Sequence, residues 1–119
     1  MKKILLLMLF VSPVYLKAQS IDSLYAVTYT VGPLWDMSKS PNDQQHFKEH
    51  SARLAQLRKD GIIKAGARFG VKGLIVITAA STTSAKEIVF ADVAVINKLF
   101  VAEVEKMNVF YDGCIERPK

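Results

Sequence analysis

Two side chains that can transfer protons lie on predicted apolar helix faces. His50 follows Phe47 by three residues, within the inward stripe of the first predicted helix. Asp92 follows Ile88 and Val89 by four and three residues, on the predicted inner side of the second helix. Because a carboxylate in an apolar setting needs a partner, we expect His50 and Asp92 to meet. A satisfied core histidine and a general acid–base pair both fit this pattern.

Other residues with chemical potential are less specific. His46 and His50 frame an H-x-x-E-H sequence, which supplies two zinc ligands in one class of peptidase. No third ligand is evident in this short chain, so neither a metal site nor a cofactor is predicted. Arg68, on a predicted strand beside the cleft, could bind an anionic ligand or be a plain surface charge. Ser and Thr occur in no recognisable activating motif, so no nucleophile is predicted.

The composition indicates one globular domain. The chain has 119 residues, half of them apolar and 23% charged, which excludes a disordered tail and a collagen-like fibre. Of its net charge of +5, three units come from Lys2, Lys3 and Lys17, in a segment without acidic residues. The remaining +2, with no basic run, argues against a nucleic-acid partner.

The first residues are typical of a secretory signal. Lys2 and Lys3 precede the unbroken apolar run 4–11, which as a helix would span about 12 Å, far less than a bilayer requires. A basic start and a short apolar centre therefore predict a signal peptide over 1–18, a single domain over 19–119, and export to the periplasm or the medium.

The cleavage region leaves two alternatives open. Cutting can follow Ala18, or it can follow Ser20 with these two small residues as the recognised pair. No cysteine lies at either point, so we expect no lipid or other stable membrane anchor. The only cysteine, Cys114, cannot form an intrachain disulfide and is either free or paired between chains.

The pattern of apolar residues and turn signals predicts the order β-α-β-β-α-β. The predicted strands are 24–31, 62–69, 74–79 and 100–111. The first helix is expected to begin at Ser40-Pro41 and to end near Asp60, before Gly61. The second begins with a cap formed by Ser84 and Glu87, runs to about residue 91, and is followed by a short helical or turn segment.

This order predicts an α+β, ferredoxin-like fold: a four-stranded antiparallel sheet with two helices on one face. The strand Leu74-Ile75-Val76-Ile77 directs apolar side chains to both faces, as strands do when neither face meets water. Because the chain has no further element to cover the open face, we expect a second copy of the chain there, which predicts a homodimer.

Both candidate residues fall inside short motifs. The motif H-x3-L-x2-L-x3-G starts at His50, and D-x-x-V-x4-F starts at Asp92. On these motifs the chain from His50 onward resembles the YCII-related (YciI-like) family. The other matching residues are Leu54, Leu57, Gly61, Gly66, Ala85, Val95 and Phe100. The chain departs from the family at Val93, where proline is usual.

The resemblance implies a dimeric α+β barrel in which His50 and Asp92 form a catalytic dyad. Asp92 would accept a hydrogen bond from one imidazole nitrogen, while the other nitrogen moves a proton to or from a small organic ligand. The implied activity is lyase- or isomerase-like acid–base chemistry without a cofactor. The alternative is a non-catalytic small-ligand-binding or interaction module of the same fold.

Overall fold

The computed structural model describes residues 22–113 and 115–119. The predicted signal peptide, both candidate cleavage points and Cys114 therefore lie outside the described residues. The elements are β1 (Ser23–Val31), α1 (Phe47–Lys59), β2 (Ile63–Phe69), β3 (Lys72–Ala79), α2 (Thr82–Phe90), α3 (Val93–Ile96) and β4 (Phe100–Met107). A single 3-10 turn, Pro41–Asp43, precedes α1.

The four strands form one antiparallel sheet in the order β2-β3-β1-β4. This architecture confirms the predicted α+β, ferredoxin-like fold. Strands β2 and β3 are joined by a two-residue turn at Gly70 and Val71, where Gly70 takes a left-handed φ of 56°. Tight hairpins favour such a conformation, and glycine adopts it without steric cost.

The core lies between the sheet and the helices. Alternate residues of β1, namely Tyr25, Val27 and Tyr29, are buried on this side, as the period of two in a strand requires. The opposite face carries half-exposed Ala26 and Val76, and no element within residues 22–113 and 115–119 covers it. No helix in these residues has the length and apolar character needed to cross a membrane.

The prediction for the first helix is wrong at its start. The sequence predicts an unbroken helix from Pro41, but Gln44 is extended and His46 has a left-handed φ of 69°, so α1 begins only at Phe47. The break occurs because the Gln44 side chain turns inward to bind backbone groups of the preceding loop. Ser40 does precede the 3-10 turn, although its hydroxyl donates to Asp43 rather than capping a backbone N–H.

The end of α1 agrees with the prediction. Gly61 has a φ of 77° and its N–H donates to the carbonyl of Arg58, while the N–H of Ile62 donates to the carbonyl of Leu57. This pair of hydrogen bonds is the Schellman arrangement, which satisfies the last carbonyls of a helix. It fixes the direction in which the chain enters β2.

Other boundaries also differ from the predictions, and β3 begins at Lys72, two residues earlier than predicted. Ser81, not Ser84, caps α2: its hydroxyl accepts from the N–H of Ser84 at 3.1 Å, and Ser84 lies inside the helix. Strand β4 ends at Met107 instead of continuing to residue 111. Met107 pairs with Leu24, one residue from the start of β1, so the described part of that strand ends almost level with β4.

Candidate functional site

His50 and Asp92 form a buried pair. His50, on α1, is 7% exposed, and Asp92 is 2% exposed. Nδ1 of His50 lies 2.5 Å from Oδ2 of Asp92, a short distance characteristic of a charge-assisted hydrogen bond. The predicted meeting of the two side chains is therefore present in the structure.

Asp92 is held differently from the prediction. The helical spacing predicts it on the inner face of the second helix, but α2 ends at Phe90 and Asp92 is the N-cap of α3. Its Oδ1 accepts from the N–H of Ala94 at 2.9 Å, so each carboxylate oxygen has a partner. Val93 takes the first helical position of α3, where a proline would also fit.

Glycine at position 32 brings the end of β1 against the turn that follows α3. A Cβ at Gly32 would lie 2.1 Å from the carbonyl oxygen of Lys98, and the N–H of Gly32 donates to the carbonyl of Leu99 at 2.8 Å. Only glycine permits this close approach. The contact places α3, and with it Asp92, beside the end of the central strand.

The surroundings keep Asp92 ionised. Burial alone would raise the pKa of Asp92, but the hydrogen bonds from His50 and Ala94 and the electrostatic interactions with His50 and Arg53 outweigh it and lower the pKa. Arg53, on α1, donates from Nη2 to the carbonyl oxygen of Ile88 at 2.8 Å. The Nε of Arg53 is buried without a hydrogen-bond partner among the described residues. Because the lowered pKa keeps Asp92 ionised, its carboxylate can act as a fixed negative charge behind the imidazole of His50.

His50 also lines a cavity of about 530 Å³ between α1 and the β2–β3 side of the sheet. The polar side chains that line it are Tyr29, His50, Ser51 and Arg68. Its walls are mainly apolar and include Val31, Trp35, Phe47, Leu54, Ile75 and Phe100. The volume and this mixture of apolar walls with a few polar groups are typical of a small-molecule site.

Aromatic rings hold the imidazole in place. The ring centroid of His50 lies 4.8 Å from that of Phe100 and 5.4 Å from that of Tyr29, whose ring is edge-on. Because Asp92 engages Nδ1, Nε2 is the ring nitrogen left to meet a ligand. Burial, with the negative charge of Asp92, raises the pKa of Tyr29 against the opposing effect of Arg53. The phenol at the cavity is therefore a neutral hydrogen-bond donor.

The loop that contains Trp35 is fastened by Gln44. The buried amide of Gln44 accepts from the N–H of Asp36 at 2.9 Å and donates to the carbonyls of Asp36 and Lys39. Trp35 packs against Phe100 with ring centroids 5.6 Å apart. Gln44 does not itself line the cavity, but it holds the loop that carries Trp35, a residue of the cavity wall.

The structure does not build a metal site from the H-x-x-E-H sequence. His46 precedes α1 in a left-handed conformation, and Nδ1 of His50 is bound to Asp92. Among residues 22–113 and 115–119, no group of three His, Cys, Asp or Glu side chains is arranged to hold a metal ion. The described donor set forms a hydrogen-bonded histidine–aspartate pair instead of a coordination shell.

Sequence reasoning misses part of the site. Tyr29 is indistinguishable in the sequence from its core neighbours on β1, because the strand pattern gives the face and not the distance to His50. For Arg68 the sequence allows both a ligand contact and a surface charge, and the structure places it at the cavity as an exposed residue, which fits both alternatives. Gln44 carries no signal, since a glutamine in a predicted helix is usually exposed.

Comparison of the chain with protein-family models, curated protein sequences and solved structures finds no match.

Proposed function

We propose that this protein binds a small organic molecule in the cavity beside His50 and catalyses a proton transfer on it. One observation carries the proposal: His50 lines the cavity while Asp92, behind it, holds Nδ1. A general base must reach its ligand with one nitrogen and be oriented through the other, and this arrangement supports both requirements.

The proposed step begins with neutral His50. Nε2 takes a proton from an acidic C–H of the ligand, and the resulting imidazolium is stabilised by the ionised carboxylate of Asp92. The neutral Tyr29 phenol can donate a hydrogen bond to the oxygen on which negative charge develops. Return of the same proton to another ligand atom completes an isomerisation, and its delivery to a leaving group completes an elimination. Neither outcome needs a redox partner.

A second candidate function is ligand binding without catalysis. The observation that favours it is the stabilising role of Asp92, which caps α3 and links this helix to α1 through its hydrogen bond with His50. In that case the dyad stabilises the cavity wall, and the ligand meets the imidazole only as a hydrogen-bond partner.

We also propose that the protein is a homodimer through the open face of the sheet. Glu103 and Glu105 lie on this face on the edge strand β4, whereas β2, the opposite edge strand, carries Ala65 and Ala67 on it. A two-fold axis parallel to the strands would place β4 of one protomer over β2 of its partner and keep the glutamates of the two protomers apart. An axis across the strands would oppose the glutamates and be repulsive.

The YCII-related assignment and export remain parts of this proposal. The first is supported by the His50 and Asp92 motifs, and the second by the basic and apolar residues over 1–18. An exported protein would carry out the proposed chemistry on a molecule outside the cytoplasm.

Deuterium exchange tests the proposed chemistry with simple probes in place of the natural substrate. A panel of neutral ketones (cyclopentanone, cyclohexanone) and 2-oxo acids (pyruvate, 2-oxobutyrate) is incubated in D2O with the wild type, His50→Gln and Lys48→Gln, which changes an exposed residue of α1 outside the cavity lining. We expect the wild type to accelerate α-proton exchange of at least one probe by about a hundredfold, because a positioned acid–base group contributes on that scale. His50→Gln should return the rate to that of buffer, and Lys48→Gln should retain the wild-type rate.

Equal exchange rates in the wild type and His50→Gln would contradict the acid–base role of His50. Exchange at the buffer rate with every probe would favour the binding module instead.

A further inference from the structure

The permanent charge on the cavity lining is positive. Arg68 is the one lining residue with a permanently charged side chain, and no acidic side chain lines the cavity within the described residues. Asp92 stands behind His50 and does not line the cavity. A ligand therefore meets a positive group and neutral walls, a combination that favours a negatively charged molecule.

Arg68 has no internal role that would account for it. The ion pairs within residues 22–113 and 115–119 are Lys39 with Asp36 and His50 with Asp92. The side chains of Arg53 and Arg58 donate to backbone carbonyls, whereas the side chain of Arg68, which is exposed, makes no hydrogen bond in this part of the chain. Its planar guanidinium remains available for the two parallel hydrogen bonds that a carboxylate can accept.

The strand register shows how a ligand can reach Arg68 and the dyad together. Tyr29, Gly73 and Arg68 are paired across β1, β3 and β2, so they share the face that is directed to the cavity. Neighbouring strands are about 4.8 Å apart, which separates the backbones of Tyr29 and Arg68 by about 10 Å. Gly73, between them, has no side chain to block this path.

We propose that the ligand of this cavity is a small organic carboxylate whose anionic group pairs with Arg68 and whose apolar body lies against Phe47, Leu54 and Phe100 toward His50. This inference deepens the proposed function and rests on it. Because two strand spacings separate Arg68 from Tyr29, which contacts His50, the reacting carbon of the ligand lies several bonds from the carboxylate that Arg68 binds. Arg68 is a binding residue in this arrangement and takes no proton.

Benzoate and benzamide test the inference because they match in shape and differ in charge. Each is titrated into the full chain and into Arg68→Gln, with binding followed by protein NMR shifts at Phe100 and His50. We expect the wild type to bind benzoate about tenfold more tightly than benzamide, since a charge-assisted pair contributes on that scale. Arg68→Gln should remove this preference, and added salt should weaken benzoate alone.

Two further variants are matched controls. Lys64→Gln removes one positive charge from an exposed position of the same strand outside the cavity lining, and should leave the preference intact. A Cβ at Gly66 would meet only ordinary contacts of 3.6 and 3.7 Å, so the fold should accept a larger residue there. Because Gly66 lines the cavity, the side chain of Gly66→Leu should fill it and abolish binding of both probes.

Equal affinity of the wild type for the two probes, retention of the preference in Arg68→Gln, or failure of both probes to bind would each overturn the inference. These results leave the proposed function open to its own test, because exchange of the neutral ketones depends on His50 and not on Arg68. Conversely, a charge preference without His50-dependent exchange would establish the anion site in a binding module.

Discussion

Asp92 joins two elements through a single carboxylate. Oδ2 accepts from the imidazole of His50 on α1, and Oδ1 accepts from the N–H of Ala94 at the start of α3. Because the group is buried, neither interaction can be replaced by water without rearrangement. The residue proposed for the chemistry is therefore also a structural support, and its variants must be judged on stability as well as activity.

The first prediction concerns the stability of this pair. Asp92→Ala should lower the free energy of unfolding by about 3 kcal/mol, because it leaves His50 buried without its partner and removes the cap of α3. Denaturant unfolding measures the change. The control is Asp43→Ala, at an exposed carboxylate whose side-chain partner in the described part of the chain is Ser40, and it should cost well under half as much. Equal losses in the two variants would contradict the importance of the pair.

The second prediction is the pH dependence of the same contribution. The pKa of Asp92 lies below its ordinary value of 3.8 in the folded protein, so the unfolded chain binds this proton more readily. The stabilisation is complete above the unfolded pKa and is lost as the pH falls through the lower, folded pKa. The stability difference between wild type and Asp92→Asn should therefore be constant near neutral pH and shrink below about pH 4. A difference that grows on acidification would have the wrong sign.

At the scale of elements, Gln44 fastens the loop before α1. Gln44→Ala should speed amide hydrogen exchange at Asp36, whose N–H loses its acceptor, and should loosen Trp35 at the cavity wall. Hydrogen-exchange mass spectrometry of this loop provides the measurement. Gln45→Ala, at the exposed neighbouring residue, is the control and should leave the exchange unchanged. Similar exchange in both variants would show that the loop is held by other contacts.

Elements that depend on local signals are predicted correctly from the sequence, whereas those that depend on contacts between distant residues are not. Strand alternation and Gly61 identify β1 and the end of α1, because these signals are local. The break at His46 could not be foreseen, since it depends on hydrogen bonds from Gln44 to a loop eight residues earlier. The same limit applies to Asp92. Helical spacing directs it toward His50, but its actual placement comes from capping a short helix that begins one residue later.

At the scale of the whole molecule, the open face of the sheet is the proposed dimer interface, and a charge placed on it should prevent dimerisation. Val76→Glu introduces a charge on a central strand of this face and should convert a dimer of two chain masses into a monomer. Sedimentation equilibrium distinguishes the two states. Ile96→Glu makes the same kind of change at an exposed site on α3 and should leave the dimer intact. A wild-type protein of one chain mass at every concentration would contradict the proposed interface.

The central claim is that Asp92 holds Nδ1 of His50 while Nε2 faces the cavity. Imidazole nitrogen NMR of the wild type, with and without benzoate, tests this arrangement most directly. We predict that Nδ1 carries a proton and donates it to Asp92, and that benzoate shifts the Nε2 signal. An Nδ1 without a proton, or an Nε2 signal unchanged by a probe bound beside it, would contradict this arrangement.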